Sequence, residues 1–135
     1  MAKQHGASRV ADAVFAEVEN VRRGYSWHVA GKLQEDLAIR DEAFADFLGV
    51  SSRTLTRRRK GAGVLDKVAS DRLYRIMRVA KLAGSVFEDA ARGFEWLRRP
   101  QVGLGGATPL SLLDTEPGFE AVESLLERIE YGVIA

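Results

Sequence analysis

Residues 41–60 read DEAFADFLGVSSRTLTRRRK, and the small residues in this stretch predict two short helices joined by a tight turn. A helix-turn-helix needs a small residue where the helices cross, a glycine free to take positive φ at the turn, and apolar residues facing inward on both helices. With Gly49 at the turn, Ala45 falls at the crossing, Phe44 and Leu48 face inward, Val50 covers the turn and Leu55 is the inward residue of the second helix. That helix begins at Ser51 or Ser52 and offers free amides, hydroxyls and Arg53 at its leading end, followed by Thr54, Thr56 and Arg57. In this motif the leading end enters the major groove of a duplex. One position departs from the pattern, because Arg58 stands where an apolar residue is expected three after Leu55. Either the helix is short and Leu55 docks it with help from Val64 and Leu65, or its angle differs from the usual one.

The run Arg57, Arg58, Arg59, Lys60 closes the second helix. Cations at a helix C-terminus interact with its dipole by roughly 0.3–1 kcal/mol each, a role that one or two of them satisfy, while four crowded together repel. With Arg53, Lys67, Arg72 and Arg75 nearby, they predict a phosphate-binding face. Its expected contact residues are Ser51, Ser52, Arg53, Thr54, Thr56, Arg57, Arg58, Arg59 and Lys60. Four or five such contacts imply an affinity that drops roughly 10² to 10³-fold between 50 and 200 mM salt. A module this small needs a dimer on two half-sites, spaced by roughly 34 Å or a multiple, for useful specificity. The candidate dimer elements are the stripe Val10, Val14, Val18 and Val21, or the apolar C-terminal part.

Net charge conceals this arrangement. The 135-residue chain carries 20 Lys and Arg against 19 Asp and Glu, for a net +1. Yet residues 51–81 hold ten basic and two acidic groups, whereas residues 101–135 hold one basic and six acidic. A middle of one sign and an end of the other point to two different partners, since a basic surface gathers polyanions and an acidic one repels them.

Outward from the central stretch, helical periodicity dominates. All three prolines, Pro100, Pro109 and Pro117, lie late in the chain, so no earlier helix is interrupted for want of an amide donor. The valine stripe predicts a helix from about Ser8 to Arg23 ended by Gly24, with residues 1–7 unstructured. Trp27, Leu33 and Leu37 predict a second helix, with His28 packed beside Trp27. Leu73, Ile76 or Met77, Ala80 and Ala83 predict one capped by Ser70 and stopped by Gly84. Phe87, Ala90, Phe94 and Leu97 predict another, up to Pro100, and QVGLGGAT (101–108) a loop. Thr108 and Pro109 then read as cap and first turn, since a phosphate loop would want a preceding strand. Phe119, Val122, Leu125, Leu126 and Ile129 predict a last helix closed by Gly132. No alternating stretch reads as a strand, so the expected fold is all-α: a helical DNA-binding unit at 8–84 and a smaller helical unit at 85–135.

Several chemistries drop out. Without cysteine there is no disulfide scaffold, thiolate metal site or cysteine nucleophile. His5 and His28 are the only histidines, and no catalytic residue, metal or cofactor is expected. Glu116, Glu120, Glu123, Glu127 and Glu130 line one flank of the last helix as ordinary solvated acids. No apolar run approaches the roughly 18 residues that span a bilayer, and MAKQHGASR lacks the apolar centre of a secretory signal. The expectation is a soluble cytoplasmic protein, not an enzyme and with no membrane partner.

The C-terminal part resembles the toxin-binding domain of the Xre/MbcA/ParS antitoxin family. The resemblance is carried by Ala91, Trp96, Leu97, Pro100, the stretch LGG-x-TP-L-x-LL-x-T-x-x-G from Leu104 to Gly118, and RIEYGV from Arg128. It extends forward through SDRLYR at 70–75 and the helix-turn-helix, covering residues 38–135. It implies an antitoxin whose partner is a RES-domain toxin attacking NAD, and whose helix-turn-helix represses the shared operon by binding operator DNA. It also implies that Tyr131, Gly132, Val133, Ile134 and Ala135 touch the toxin and obstruct its active site. The residues agree in part: an apolar, uncharged finish on an acidic helix suits a pocket, although Val133 and Ile134 folding back on their own core is the other reading. Two alternatives stand beside this one, a toxin-neutralising module that does not touch DNA and a stand-alone transcriptional regulator.

Overall fold

Seven α-helices follow one another in the computed structural model, which describes the backbone of residues 2–132 and the side chains of residues 9–132. They are α1 (Ala2–Arg23), α2 (Trp27–Leu37), α3 (Asp41–Leu48), α4 (Ser52–Arg59), α5 (Lys67–Val86), α6 (Ala90–Arg98) and α7 (Glu116–Glu130), with 3-10 turns at Val102–Leu104 and Leu110–Leu112. No strand occurs among the described residues; the nearest approach is a single bridge between Ser26 and Val64. The fold is all-α, as the periodicity implies. No described helix is long and apolar enough to cross a membrane.

Capping chemistry sets most boundaries. Ser26, Ser51, Asp66, Asp89 and Thr115 each accept a hydrogen bond from an amide in the first turn of the helix they precede, satisfying donors that have no partner within the helix. Gly49 ends α3 in the left-handed region at φ 77°. Three boundaries differ from expectation. α1 starts at Ala2, upstream of the valine stripe, in the segment expected to be unstructured. α5 starts at Lys67 with Asp66 as its cap, and Ser70 lies fully buried, where its hydroxyl accepts from the Tyr25 amide and donates to the Leu65 carbonyl. Gly84 does not stop α5, which continues to Val86.

The reason for Gly84 is packing. Across from it lies Gly93 of α6, where an added Cβ would come within 2.6 Å of the Gly84 nitrogen. The two glycines let α5 and α6 cross backbone to backbone. Gly118 of α7 has a similar role, since a Cβ there would lie 1.8 Å from the Leu112 carbonyl oxygen. The spacing T-x-x-G is thereby explained: Thr115 caps α7 through the Gly118 amide, and Gly118 leaves room for the preceding 3-10 turn.

One apolar core joins the helix-turn-helix to the C-terminal part. Phe44, Leu48 and Leu55 from the helix-turn-helix, Leu73, Ile76 and Val79 from α5, and Leu97, Leu113, Phe119 and Leu126 from the C-terminal part belong to a single buried cluster. At about 1.5–3 kcal/mol per buried aliphatic or aromatic side chain, this shared burial dominates the stability of both parts. Polar contacts add to it: Arg98 of α6 donates to the Leu37 carbonyl at the end of α2, and Arg78 of α5 stands 5.7 Å from the centre of the Phe119 ring while pairing with Glu123 at 3.0 Å. A division at Gly84 therefore separates sequence motifs and leaves the core undivided.

Candidate nucleic-acid interface and terminal arm

The helix-turn-helix folds as its residues suggest. Phe44, Ala45, Leu48 and Leu55 are buried and Val50 is partly so. A side chain at Gly49 would meet the Arg72 guanidinium at 2.6 Å, and Arg72 donates to the Phe47 carbonyl, closing the end of α3. Leu55 is the sole buried residue of α4. Leu65 is buried in the same cluster, while Val64 is 54% exposed. α4 spans only eight residues, as the first alternative for the missing apolar position expects of its length, though Val64 gives no help.

The candidate contact residues divide into three groups. Arg53, Arg57, Arg58 and Lys60 are exposed, and among the described residues none of them is ion-paired. Ser51, Thr54 and Thr56 are engaged locally: Ser51 Oγ accepts from the Thr54 amide and donates to Thr54 Oγ1, and Thr56 Oγ1 donates to the Ser52 carbonyl. They shape the leading turn of α4, with Ser52 half-buried beside them.

Arg59 forms the third group. Its guanidinium grips the Asp41 carboxylate with both terminal nitrogens, at 2.7 and 3.1 Å, and donates to Gln34 Oε1 at 2.9 Å. Gln34 in turn donates to Asp41 at 2.7 Å. The Arg59 hydrogen bonds, and then that of Gln34, hold the Asp41 carboxyl at about 2, below its usual 3.8. Arg59 is thus withdrawn from the set expected to meet phosphate. It ties the end of α4 to the start of α3, a polar anchor one residue beyond the apolar one that the pattern lacks. Gln34 and Asp41 carry no local signal of this role, because they lie 25 and 18 residues from Arg59.

Of the outlying cations, Lys67 is exposed, whereas Arg75 pairs with Asp71 at 3.2 Å and Glu116 at 3.5 Å. The acidic α7 therefore takes its cations from α5, through Arg75 and Arg78, and leaves those of α4 alone. Two of the five glutamates expected on a solvated flank, Glu116 and Glu123, serve as ion-pair partners, and Glu116 stays exposed while doing so. Trp27 is buried, but His28 beside it is exposed, against the expectation that the histidine is packed.

At the other end, Tyr131 is 76% exposed just beyond α7, and Gly132 takes φ 68°. Val133, Ile134 and Ala135 lie outside the described residues. The loop after α6 presents Val102, 97% exposed, which periodicity had no means of singling out.

These features define a helix-turn-helix protein with an appended helical unit built on the same core. Residues 16–78 match the family described as Antitoxin Xre-like helix-turn-helix domain, and residues 82–132 the Antitoxin Xre/MbcA/ParS C-terminal toxin-binding domain. The chain belongs to the Xre antitoxin family, and the likeness begins at residue 16, upstream of residue 38. It is 34% identical to Antitoxin Xre of Yersinia enterocolitica serotype O:8 / biotype 1B, over 87% of this chain and 80% of that protein. It is 39% identical to Antitoxin Xre of Photorhabdus laumondii subsp. laumondii, over 64% of this chain and 60% of that protein. It is also 30% identical to a Prs ADP-ribosylating antitoxin of Sphingobium sp. (strain YBL2), over 73% of this chain and 68% of that protein.

Proposed function

We propose that this protein neutralises a RES-type toxin that attacks NAD, through its C-terminal unit, and represses its own operon by binding operator DNA through α4. The observation that carries the DNA half is the state of Arg53, Arg57, Arg58 and Lys60: exposed, unpaired among the described residues, and left so by an acidic helix that draws on α5 instead. Four phosphate contacts per subunit imply roughly a 10²-fold loss of affinity between 50 and 200 mM salt. The name of the Sphingobium relative refers to ADP-ribosylation, a chemistry that draws on NAD, which supports the toxin class. The Tyr131–Ala135 arm obstructs the toxin's pocket, as the exposure of Tyr131 favours. The protein acts by binding, in the cytoplasm, with no catalytic role.

Homodimerisation completes the reading. Val10, Val14 and Phe15 are 66%, 55% and 67% exposed on α1, upstream of Val18 and Val21, which are half-buried. This apolar face is the proposed contact between two copies, placing two α4 helices on successive half-sites. Light scattering of V14D should then show a monomer at micromolar concentration where the wild type is a dimer.

The deciding experiment uses two assays on one protein. The full chain should retard its own upstream DNA, less so as salt rises, and should co-purify with the RES-domain protein and silence it. Removing Tyr131–Ala135 should restore toxin activity and leave DNA retardation intact. Toxin binding without retardation at low salt would favour a neutraliser that does not touch DNA, a reading to which the withdrawn Arg59 lends weight.

A further inference from the structure

Within residues 82–132, the stretch matching a toxin-binding domain, the large hydrophobic side chains classed as exposed are Val102 and Tyr131. A lone exposed valine is ordinary on a protein surface. Val102 differs in how firmly its loop is held. The Gln101 amide donates to the Ala107 carbonyl, the Gly106 and Leu104 amides donate to the Gln101 carbonyl, and the Gly105 amide donates to that of Val102. The Gln101 side chain adds bonds to the Trp96 and Arg99 carbonyls. Gly105 and Gly106, at φ 67° and 87°, make the reversal possible. The loop is therefore ordered before any partner arrives, and a side chain presented in this way loses little conformational freedom on binding.

Placement supplies the second argument. Gly103, the next residue, lies so close to α7 that a Cβ there would come within 2.8 Å of Leu125 Cδ1. Leu125 precedes Tyr131 by six residues, about 9 Å along the helix. The two exposed apolar side chains thus stand on neighbouring elements, one on a braced loop and one at the root of the terminal arm. Glu120, Glu127 and Glu130 of α7 are exposed and, among the described residues, unpaired.

We propose that Val102 is a second anchor for the toxin, seated in an apolar recess beside the pocket that receives the arm, with a basic rim on the toxin facing α7. The inference rests on the proposed reading of the C-terminal unit as toxin-binding. It gives the toxin two attachment points, so the arm need not hold the complex alone.

The test measures affinity of the full chain for the RES-domain toxin by calorimetry, with wild type, V102D, V102I and the deletion of Tyr131–Ala135. V102D should bind roughly 30-fold more weakly, the size of a hot-spot loss, with circular dichroism, melting temperature and DNA retardation unchanged. V102I should bind as the wild type does. V102D binding within a factor of about two of wild type overturns the inference alone, as does a V102D whose defect is confined to self-association. A wild type that does not bind the toxin overturns the toxin-binding reading and this inference with it.

Discussion

Asp41 accepts from Arg59 at two oxygens and from Gln34 at one, and the sign of its pKa shift fixes a pH window. The folded value, about 2, lies below the unfolded 3.8, so the pair stabilises the protein fully above the unfolded value. That contribution fades as pH falls from about 4 through about 2. In D41N the decline in melting temperature over this range should be shallower and stability at neutral pH lower; a melting profile superimposable on the wild type's would refute the role. Arg58 and Arg59 should then separate cleanly. R58A should keep the wild-type melting temperature and reduce the salt slope of DNA binding by about one. R59A should do the opposite, losing stability while keeping the slope. Sequence alone ranks these neighbours alike, because what distinguishes them is an approach across 18 residues that only the crossing of α3 and α4 creates. Gly49 and Ala45 were legible for the converse reason, since their constraints arise within one turn of chain.

Among elements, α4 depends most on a single side chain. With Leu55 its only buried residue, L55A should cost about 2–5 kcal/mol in denaturant unfolding. DNA retardation should fall along with it, because the helix loses its docking point. The start of α4 was readable because Ser51 satisfies its own first turn. Ser70 misled because a serine before an apolar run looks like a cap, while its real partners, Tyr25 and Leu65, include one 45 residues away. Gly84 misled in a similar way. A glycine inside a periodic run fits either a stop or a close crossing, and only its juxtaposition with Gly93 decides.

At the scale of the whole molecule, the charge pattern along the chain distinguishes two ends but not how firmly they are joined. The core is continuous, α5 passes through both family segments, and Arg98 of one part closes a helix of the other. Heat or denaturant should therefore unfold the protein in one transition by circular dichroism and tryptophan fluorescence alike. Two separated transitions, or a stable proteolytic fragment covering residues 82–132, would contradict this. R98A should lower the midpoint of that single transition by about 1–2 kcal/mol of stability, even though Arg98 lies far along the chain from the helix it serves. For a cell, a common core makes turnover all-or-nothing. A protease that pries open either end discards both, so under the proposed function the moment when the gene is released for transcription is also the moment when the poison is unmuzzled.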